Sequence, residues 1–420
     1  MLSDETVPSD ETVPPDETVP PSGTLPADVA ASLRPQAEYA RLAPTPPRGW
    51  NSWNAFRCRG LTADRVRTAA DVIAESGLGA AGYRHVVIDD CWQDHERDQG
   101  GHLVAHQERF AGGIGEVSAH VHGRGLSFGI YSSPGTRTCA MVYDDYPGRD
   151  LGSYGHEETD ALDFAEWGVD YLKYDWCEAD RSENLKQAEA FARMRVALDA
   201  TGRDVVLSLS EYGRWEPWRW APRFANLWRT TEDIRPTWQS VLSVIDQQGD
   251  LWRWSSPGHW NDPDMLEAGN GSLTPANNRA HLAAWAILNA PLMLGNDLAA
   301  LPDWLLAILT DPVMLAVQAD FAGVQGRRAL QGEIEVWAKP MTGSRVAVLL
   351  LNRGEEIGSV EVDNAVLAGL PGPTLELPAA WTADWAFAAA GGADGPEVGD
   401  GPLQAEVPGG DALLGVFSPA

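Results

Sequence analysis

From Pro47 onward, short apolar runs alternate with longer helix-forming stretches, and this alternation restricts the chain more than any other feature. The runs include Val86-Val87-Ile88, Ser127-Phe128-Gly129-Ile130-Tyr131, Tyr171-Leu172-Lys173-Tyr174, Val205-Val206-Leu207-Ser208-Leu209 and Leu292-Met293-Leu294. Parallel strands covered on both faces read in this way. Between them, Thr62–Ser76 predicts a helix with Thr62 as its N-cap and Gly77 as its stop. Ser182–Ala200, rich in Ala, Leu, Glu and Arg, predicts another. Strand, helix and strand in repetition predict a parallel sheet. About eight such repeats in ~280 residues fit a closed (β/α)8 barrel better than an open doubly wound sheet. No Gly-x-Gly-x-x-Gly opens a helix after the first strand, as a dinucleotide fold would require.

The flanks have other textures. The chain opens with Asp-Glu-Thr-Val-Pro repeated at Asp4, Asp10 and Asp16, and has no aromatic residue before Tyr39. An acidic, Pro-rich segment of this kind buries too little apolar surface to offset its ordering entropy. Residues 1–43 are therefore expected to be a disordered tail, followed by a barrel over 44–325. After about residue 325, Glu333–Ala338, Arg345–Leu351, Val360–Val362 and Ala412–Phe417 read as short strands separated by Gly, Pro and Asp turns. Residues 326–420 are expected to form a small antiparallel β-sandwich with a structural role.

Carboxylates fall at the ends of the barrel runs. Val86-Val87-Ile88 ends in Asp89-Asp90, Tyr171–Tyr174 in Asp175, and Val205–Ser210 in Glu211. Leu227-Trp228-Arg229 leads to Glu232-Asp233, and His259-Trp260-Asn261 leads to Asp262 and Asp264. One Asp after a strand is usually a turn former or a helix cap. Five successive strand ends delivering carboxylates to the rim where barrels carry their active sites point to chemistry instead. Glycoside hydrolysis needs such a set, with one carboxylate as nucleophile and one carboxylic acid as proton donor, about 5–5.5 Å apart in retaining enzymes. Lys173 precedes Asp175 by two residues, so both point to one side of the strand, and the ammonium favours an ionised, nucleophilic Asp175. Asp233 is expected to start protonated, raised by the neighbouring anion.

At these residues the sequence resembles glycoside hydrolase family 27, the α-galactosidase and α-N-acetylgalactosaminidase (melibiase) family. The likeness runs from about Pro47 to Arg353, through Gly49-Trp50-Asn51-Ser52-Trp53-Asn54, Ile88-Asp89-Asp90-Cys91-Trp92, Gly129-Ile130-Tyr131 with Thr138-Cys139, Tyr171–Cys177, Trp228-Arg229 with Asp233-Ile234, and Trp260–Leu266. The resemblance implies Asp175 as nucleophile and Asp233 as acid/base. It implies Asp89, Asp90, Lys173, Glu211, Arg229 and Asp264 as ligands of sugar hydroxyls, with Trp53 and Tyr131 lining the pocket. Disulfides Cys58–Cys91 and Cys139–Cys177 are implied, and neither cofactor nor metal. Glu211, placed near the sugar 2-hydroxyl, would favour α-galactose over its N-acetylamino analogue, and the Asp89-Asp90 pair would suit a sugar with a 6-hydroxyl. The sequence departs from the common pattern at Tyr212, where a Trp usually follows the Glu, at Trp176, and in the Trp-rich stretch Arg214–Pro222. These departures keep β-L-arabinopyranosides, α-N-acetylgalactosaminides and isomaltose-type α-glucans open as alternative substrates. A sugar-binding relative without activity is disfavoured by the presence of both aspartates.

Charge and composition narrow the partners. A net charge of −29 argues against nucleic acid and anionic membranes. No run of ~18 apolar residues exists to span a bilayer. The nine histidines do not cluster at the strand ends, as a metal-dependent hydrolase would require, apart from His259. Expected partners are α-galactoside oligosaccharides or glycans, with a homodimer as an open assembly. Met1-Leu-Ser-Asp-Glu carries no basic stretch and no apolar run, which predicts a cytoplasmic protein unless another export route serves it. The four cysteines lack CxxC spacing and allow three pairings, and a cytoplasmic site would favour free thiols.

Overall fold

A computed structural model describes residues 23–372, 374–393, 395–396 and 398–420. The parallel strands are β1 (Arg48–Asn51), β2 (His85–Val87), β3 (Ser127–Ser132), β4 (Tyr171–Asp175), β5 (Val206–Ser210), β6 (Leu227–Arg229), β7 (Trp260–Asp262) and β8 (Leu292–Leu294). They lie in the spatial order β7-β6-β5-β4-β3-β2-β1-β8. A parallel bridge between Leu266 and Leu294 joins the two ends and closes the (β/α)8 barrel. Gly49 is required by packing, since a Cβ there would lie 2.2 Å from the carbonyl oxygen of His85 on the neighbouring strand.

The barrel interior is layered. Val87, Tyr171, Val206, Leu227, Trp260 and Met293 form an apolar floor together with Ala43. Above it stand Asn51, Lys173, Ser208, Arg229 and Asp262, a polar layer that leads up to the strand ends. The helix predicted over Thr62–Ser76 spans Ala63–Glu75, capped by Thr62 Oγ1, which accepts from Arg65 N at 3.4 Å. The helix expected over Ser182–Ala200 is instead two helices, Ala179–Ser182 and Gln187–Ala200. The break contains Asn184 in a left-handed conformation, φ 55°.

The expected tail is corrected over its second half. Residues Ala27–Ser32 and Gln36–Ala40 are helical, and Val29, Tyr39 and Ala43 are buried. Tyr39 Oη donates to Asp199 Oδ2 at 2.6 Å and accepts from Arg34 N at 2.8 Å. Its carbonyl accepts from Asn226 Nδ2 at 2.8 Å, and Trp260 Nε1 donates to Ala43 O at 2.8 Å. This segment closes the bottom of the barrel. The repeats at Asp4, Asp10 and Asp16 lie outside the described residues. Tyr39→Ala is expected to destabilise the fold by about 3 kcal/mol, the cost of removing a buried aromatic ring and orphaning its polar partners. A thermal unfolding midpoint within a degree of the parent would contradict this role.

After β8 the chain forms antiparallel strands β9 (Arg327–Leu330), β10 (Ile334–Met341), β11 (Arg345–Asn352), β12 (Gly358–Val362), β13 (Trp381–Trp385), β14 (Val398–Gly399), β15 (Leu403–Val407) and β16 (Ala412–Pro419). One sheet runs β14-β13-β16-β11-β10-β9, and β12-β15 lie apart from it. Val336, Val348, Val362, Leu403 and Phe417 share one core between the two layers, as in a sandwich. It docks on the barrel helix Pro275–Ile287 through an Arg279–Asp411 ion pair and Asn277 Nδ2, which donates to Gly410 O at 2.8 Å.

Candidate active site

A pocket of about 710 Å³ opens at the C-terminal ends of the strands. Of the residues expected there, Trp53, Asp89, Asp90, Tyr131, Lys173, Asp175, Arg229, Asp233 and Asp264 line it. Register explains part of this convergence. Tyr131 on β3 pairs with Lys173 on β4, and Lys173 with Ser208 on β5, so their side chains share a level of the barrel.

Asp89 and Lys173 form one of its buried charged pairs. Lys173 Nζ donates to Asp89 Oδ2 at 2.8 Å and lies 3.9 Å from Asp175 Oδ2. Asn51 Nδ2 also donates to Asp89 Oδ2, at 2.7 Å. Burial works against the Lys173 charge, but Asp89 and Asp175 outweigh it and hold its proton more firmly than usual. Asp90 accepts from Ala140 N at 2.8 Å and Cys91 N at 2.6 Å. Burial raises it to about 6, opposed by the Ala140 N–H and helped by Asp89.

Across the pocket, Arg229 Nη2 reaches Asp264 Oδ2 at 2.9 Å and Asp233 Oδ1 at 3.1 Å. Asp264 is fixed further by N–H groups of Ile234 at 2.8 Å and Met265 at 2.7 Å. It adopts φ 96°, a strained conformation for a residue with a side chain. Burial raises Asp264 to about 6 despite Arg229.

The two carboxylates expected to do the chemistry are unlike in surroundings. Asp175 is buried, and burial raises it to about 7; Lys173 opposes that rise while Asp89 and Asp233 add to it. The Asp233 side chain is 70 % exposed. Its partial desolvation would raise its pKa, but Arg229 and Lys173 prevail and hold it below the usual range. The expectation of a protonated Asp233 beside an ionised Asp175 runs against both of these directions. The physical reason is Arg229, whose contact with Asp233 sequence spacing did not reveal.

Glu211 is the residue that the structure moves out of the predicted site. It is fully buried and does not line the pocket. Its Oε2 accepts from Trp215 N at 3.0 Å, and the Gly213 N–H also bonds the carboxylate. Burial raises it to about 8. Glu211 clamps the turn after β5, where Tyr212 and Gly213 adopt φ 65° and 79°. A Cβ on Gly213 would lie 2.3 Å from the Thr230 carbonyl oxygen, so the turn needs glycine twice over. Tyr212, Arg214 and Trp215 line the pocket wall beside it.

Both disulfides implied by the resemblance are formed, Cys58–Cys91 and Cys139–Cys177, with Cα–Cα distances of 5.1 Å and 4.7 Å. The first ties helix Trp53–Gly60 to the Asp89-Asp90 turn, and the second ties helix Cys139–Tyr143 to the end of β4. Cys139 and Cys177 approach Asp175 closely, but their sulfurs are bonded to each other and offer no thiolate to a metal. Tyr131 Oη accepts from Cys139 N at 3.1 Å, so its hydroxyl supports the wall while its ring faces Lys173 Nζ at 5.5 Å.

Several lining residues were not singled out as site residues from the sequence. Asn54 and Arg57 follow Trp53 on its short helix, and Arg57 lies 4.9 Å over the Trp53 ring. Tyr143, Asp180 and Arg181 come from connecting segments whose paths no periodicity encodes.

Residues 45–320 match the family model described as alpha galactosidase A, and residues 331–411 match the alpha galactosidase C-terminal beta sandwich domain. Alpha-galactosidase 2 of Arabidopsis thaliana is 42% identical over 320 residues, covering 76% of this chain and 78% of its own length. Alpha-galactosidase A of Cellvibrio japonicus is 41% identical over 331 residues, with the same coverage of 76% and 78%. The structure of the Saccharomyces cerevisiae α-galactosidase with raffinose superposes with a TM-score of 0.78 at 25% identity, covering 92% of this chain and all of that one.

Proposed function

The chain belongs to the alpha-galactosidase family of glycoside hydrolases, and from that membership we propose that it releases terminal α-D-galactose from α-galactosides by double displacement with retention. One observation carries the mechanistic reading: a buried carboxylate, Asp175, and an exposed one, Asp233, open into the same pocket with a cation set against each. Asp175 attacks the anomeric carbon, and Asp233 gives its proton to the departing glycosidic oxygen. Asp233 then takes a proton from the water that opens the glycosyl ester. Filling the pocket strips water from Asp233 and raises its proton affinity, while Lys173 and Arg229 favour the Asp175 anion.

Substrate hydroxyls meet Asp89, Asp90 and Asp264 as charged acceptors, and Lys173 and Arg229 as donors, a set suited to a sugar rich in hydrogen-bonding groups. The raffinose complex of the yeast relative and the names of the plant and bacterial relatives favour α-galactose over the other glycones.

The test is a hydrolysis screen on p-nitrophenyl α-D-galactoside, α-N-acetylgalactosaminide, β-L-arabinopyranoside and α-glucoside, with the first-formed anomer followed by NMR. We expect the α-galactoside to be preferred at least ~10-fold in kcat/KM, with α-galactose appearing first. Preference for another glycoside would move the specificity argument to Tyr212, Arg214 and Trp215. β-Galactose as the first product would overturn double displacement.

The pH profile is a second test. An attacking carboxylate must be ionised, and burial raises Asp175 to about 7. The reactive pair carries one proton, and with Asp233 held below the usual range that proton is lost above about pH 7, where kcat/KM is expected to fall about tenfold per unit. A profile flat up to pH 9 would contradict the assignment.

A further inference from the structure

Tyr212 stands where the turn after β5 passes the end of β4. Its hydroxyl donates to Asp175 Oδ1 at 3.2 Å. Among the described residues no other hydrogen bond reaches the Asp175 side chain, and Lys173 stays 3.9 Å from the other oxygen, Oδ2. The phenol oxygen also lies 3.3 Å from Cys139 Sγ, so the disulfide limits its movement. The ring is held between two guanidinium groups, Arg214 at 5.2 Å and Arg229 at 5.7 Å. Its backbone is left-handed at φ 65°, an unfavourable conformation for a residue with a bulky side chain. The buried Glu211 clamp stabilises the turn that holds this strain. The local structure is thus committed to aiming one hydroxyl at one carboxylate oxygen.

We propose that Tyr212 is the positioning residue of the attacking carboxylate: its hydroxyl holds Asp175 Oδ1, leaving Oδ2 to attack the sugar. In the first step the Oδ2–C1 bond forms, the glycosidic bond breaks, and the Asp233 proton leaves on the aglycone oxygen. The Tyr212 hydroxyl then donates to Oδ1, now the carbonyl oxygen of the ester. The inference rests on Asp175 being the nucleophile. The charged and titratable groups facing Asp175 are Lys173 on its own strand, Asp89 after β2, Arg229 and Asp233 at and beyond β6, and Tyr131 and Tyr143. None of these changes when Tyr212 loses only its hydroxyl.

The experiment compares Tyr212→Phe and Tyr212→Trp with the parent and with Asp175→Ala, on p-nitrophenyl α-D-galactoside. Tyr212→Phe is expected to lose ~10–100-fold in kcat with KM within about threefold. The alkaline limb of kcat/KM, which Asp175 sets, should also move to higher pH, because the anion has lost its donor. Tyr212→Trp, which keeps an aromatic ring but not the phenol, should show the same shift. In the Asp175→Ala background with azide, Tyr212→Phe should change the rate by less than about twofold, since no carboxylate remains to be held. An unmoved alkaline limb in a folded Tyr212→Phe protein, or an equal loss in the azide reaction, would overturn the inference. Near-parental activity in Asp175→Ala alone would instead overturn the nucleophile assignment beneath it.

Discussion

Replacing Asp175 with alanine is expected to leave a folded protein whose kcat on α-galactosides falls at least ~10³-fold, because an essential bond-forming group is gone. The fold should tolerate the change. Lys173 keeps its 2.8 Å contact with Asp89, and Tyr212 loses an acceptor at the pocket wall. Linkage points the same way. Burial raises the folded-state pKa of Asp175 to about 7, above the unfolded value of about 3.9. The protonated carboxyl is the form that folding prefers, so its contribution to stability is fully present below pH 3.9 and is lost as pH rises through about 7. At neutral pH the alanine variant therefore escapes a cost that the parent carries. Azide should restore turnover of an activated galactoside and give β-galactosyl azide, inverted relative to the substrate. A folded variant with near-parental activity would remove Asp175 from the chemistry.

Asp233→Ala is expected to cost as much on substrates with poor leaving groups, and considerably less on p-nitrophenyl α-D-galactoside, whose aglycone departs with little protonation. With azide the product should be α-galactosyl azide, since the anion then intercepts the Asp175 ester from the face that water uses. Arg229 retains Asp264 at 2.9 Å, so the arginine is not left unpaired. The measurement is the ratio of kcat/KM losses on raffinose and on the activated galactoside. Equal losses on both would contradict proton donation by Asp233.

The barrel was legible because its strands are covered on both faces and read as apolar runs, with the carboxylates directly after them. That signal does not distinguish direction. Asp175 ends a strand and Glu211 directly follows one, yet the first opens into the pocket and the second turns back to bind the N–H groups of Gly213 and Trp215. The difference lies in the left-handed turn at Tyr212 and Gly213, where glycine was the only hint. The segment after residue 23 was illegible for another reason. Val29, Tyr39 and Ala43 are buried but too sparse to make a periodic pattern, and their partners Asp199, Asn226 and Trp260 lie far along the chain. The proton distribution between Asp175 and Asp233 depended on Arg229 reaching both Asp233 and Asp264, a contact of the folded rim. The sandwich strands around Glu333–Ala338 and Arg345–Leu351 were readable from their alternation and turns. Trp381–Trp385, set among Gly- and Ala-rich stretches, was not.

The most direct test is to trap the intermediate with a 2-fluorinated galactosyl fluoride and map the modified peptide by mass spectrometry. One fluoroglycosyl group per chain is expected on the peptide carrying Asp175, with labelling slowed by free galactose. A label on any other residue, or complete turnover with β-galactose formed first and no adduct, would contradict it.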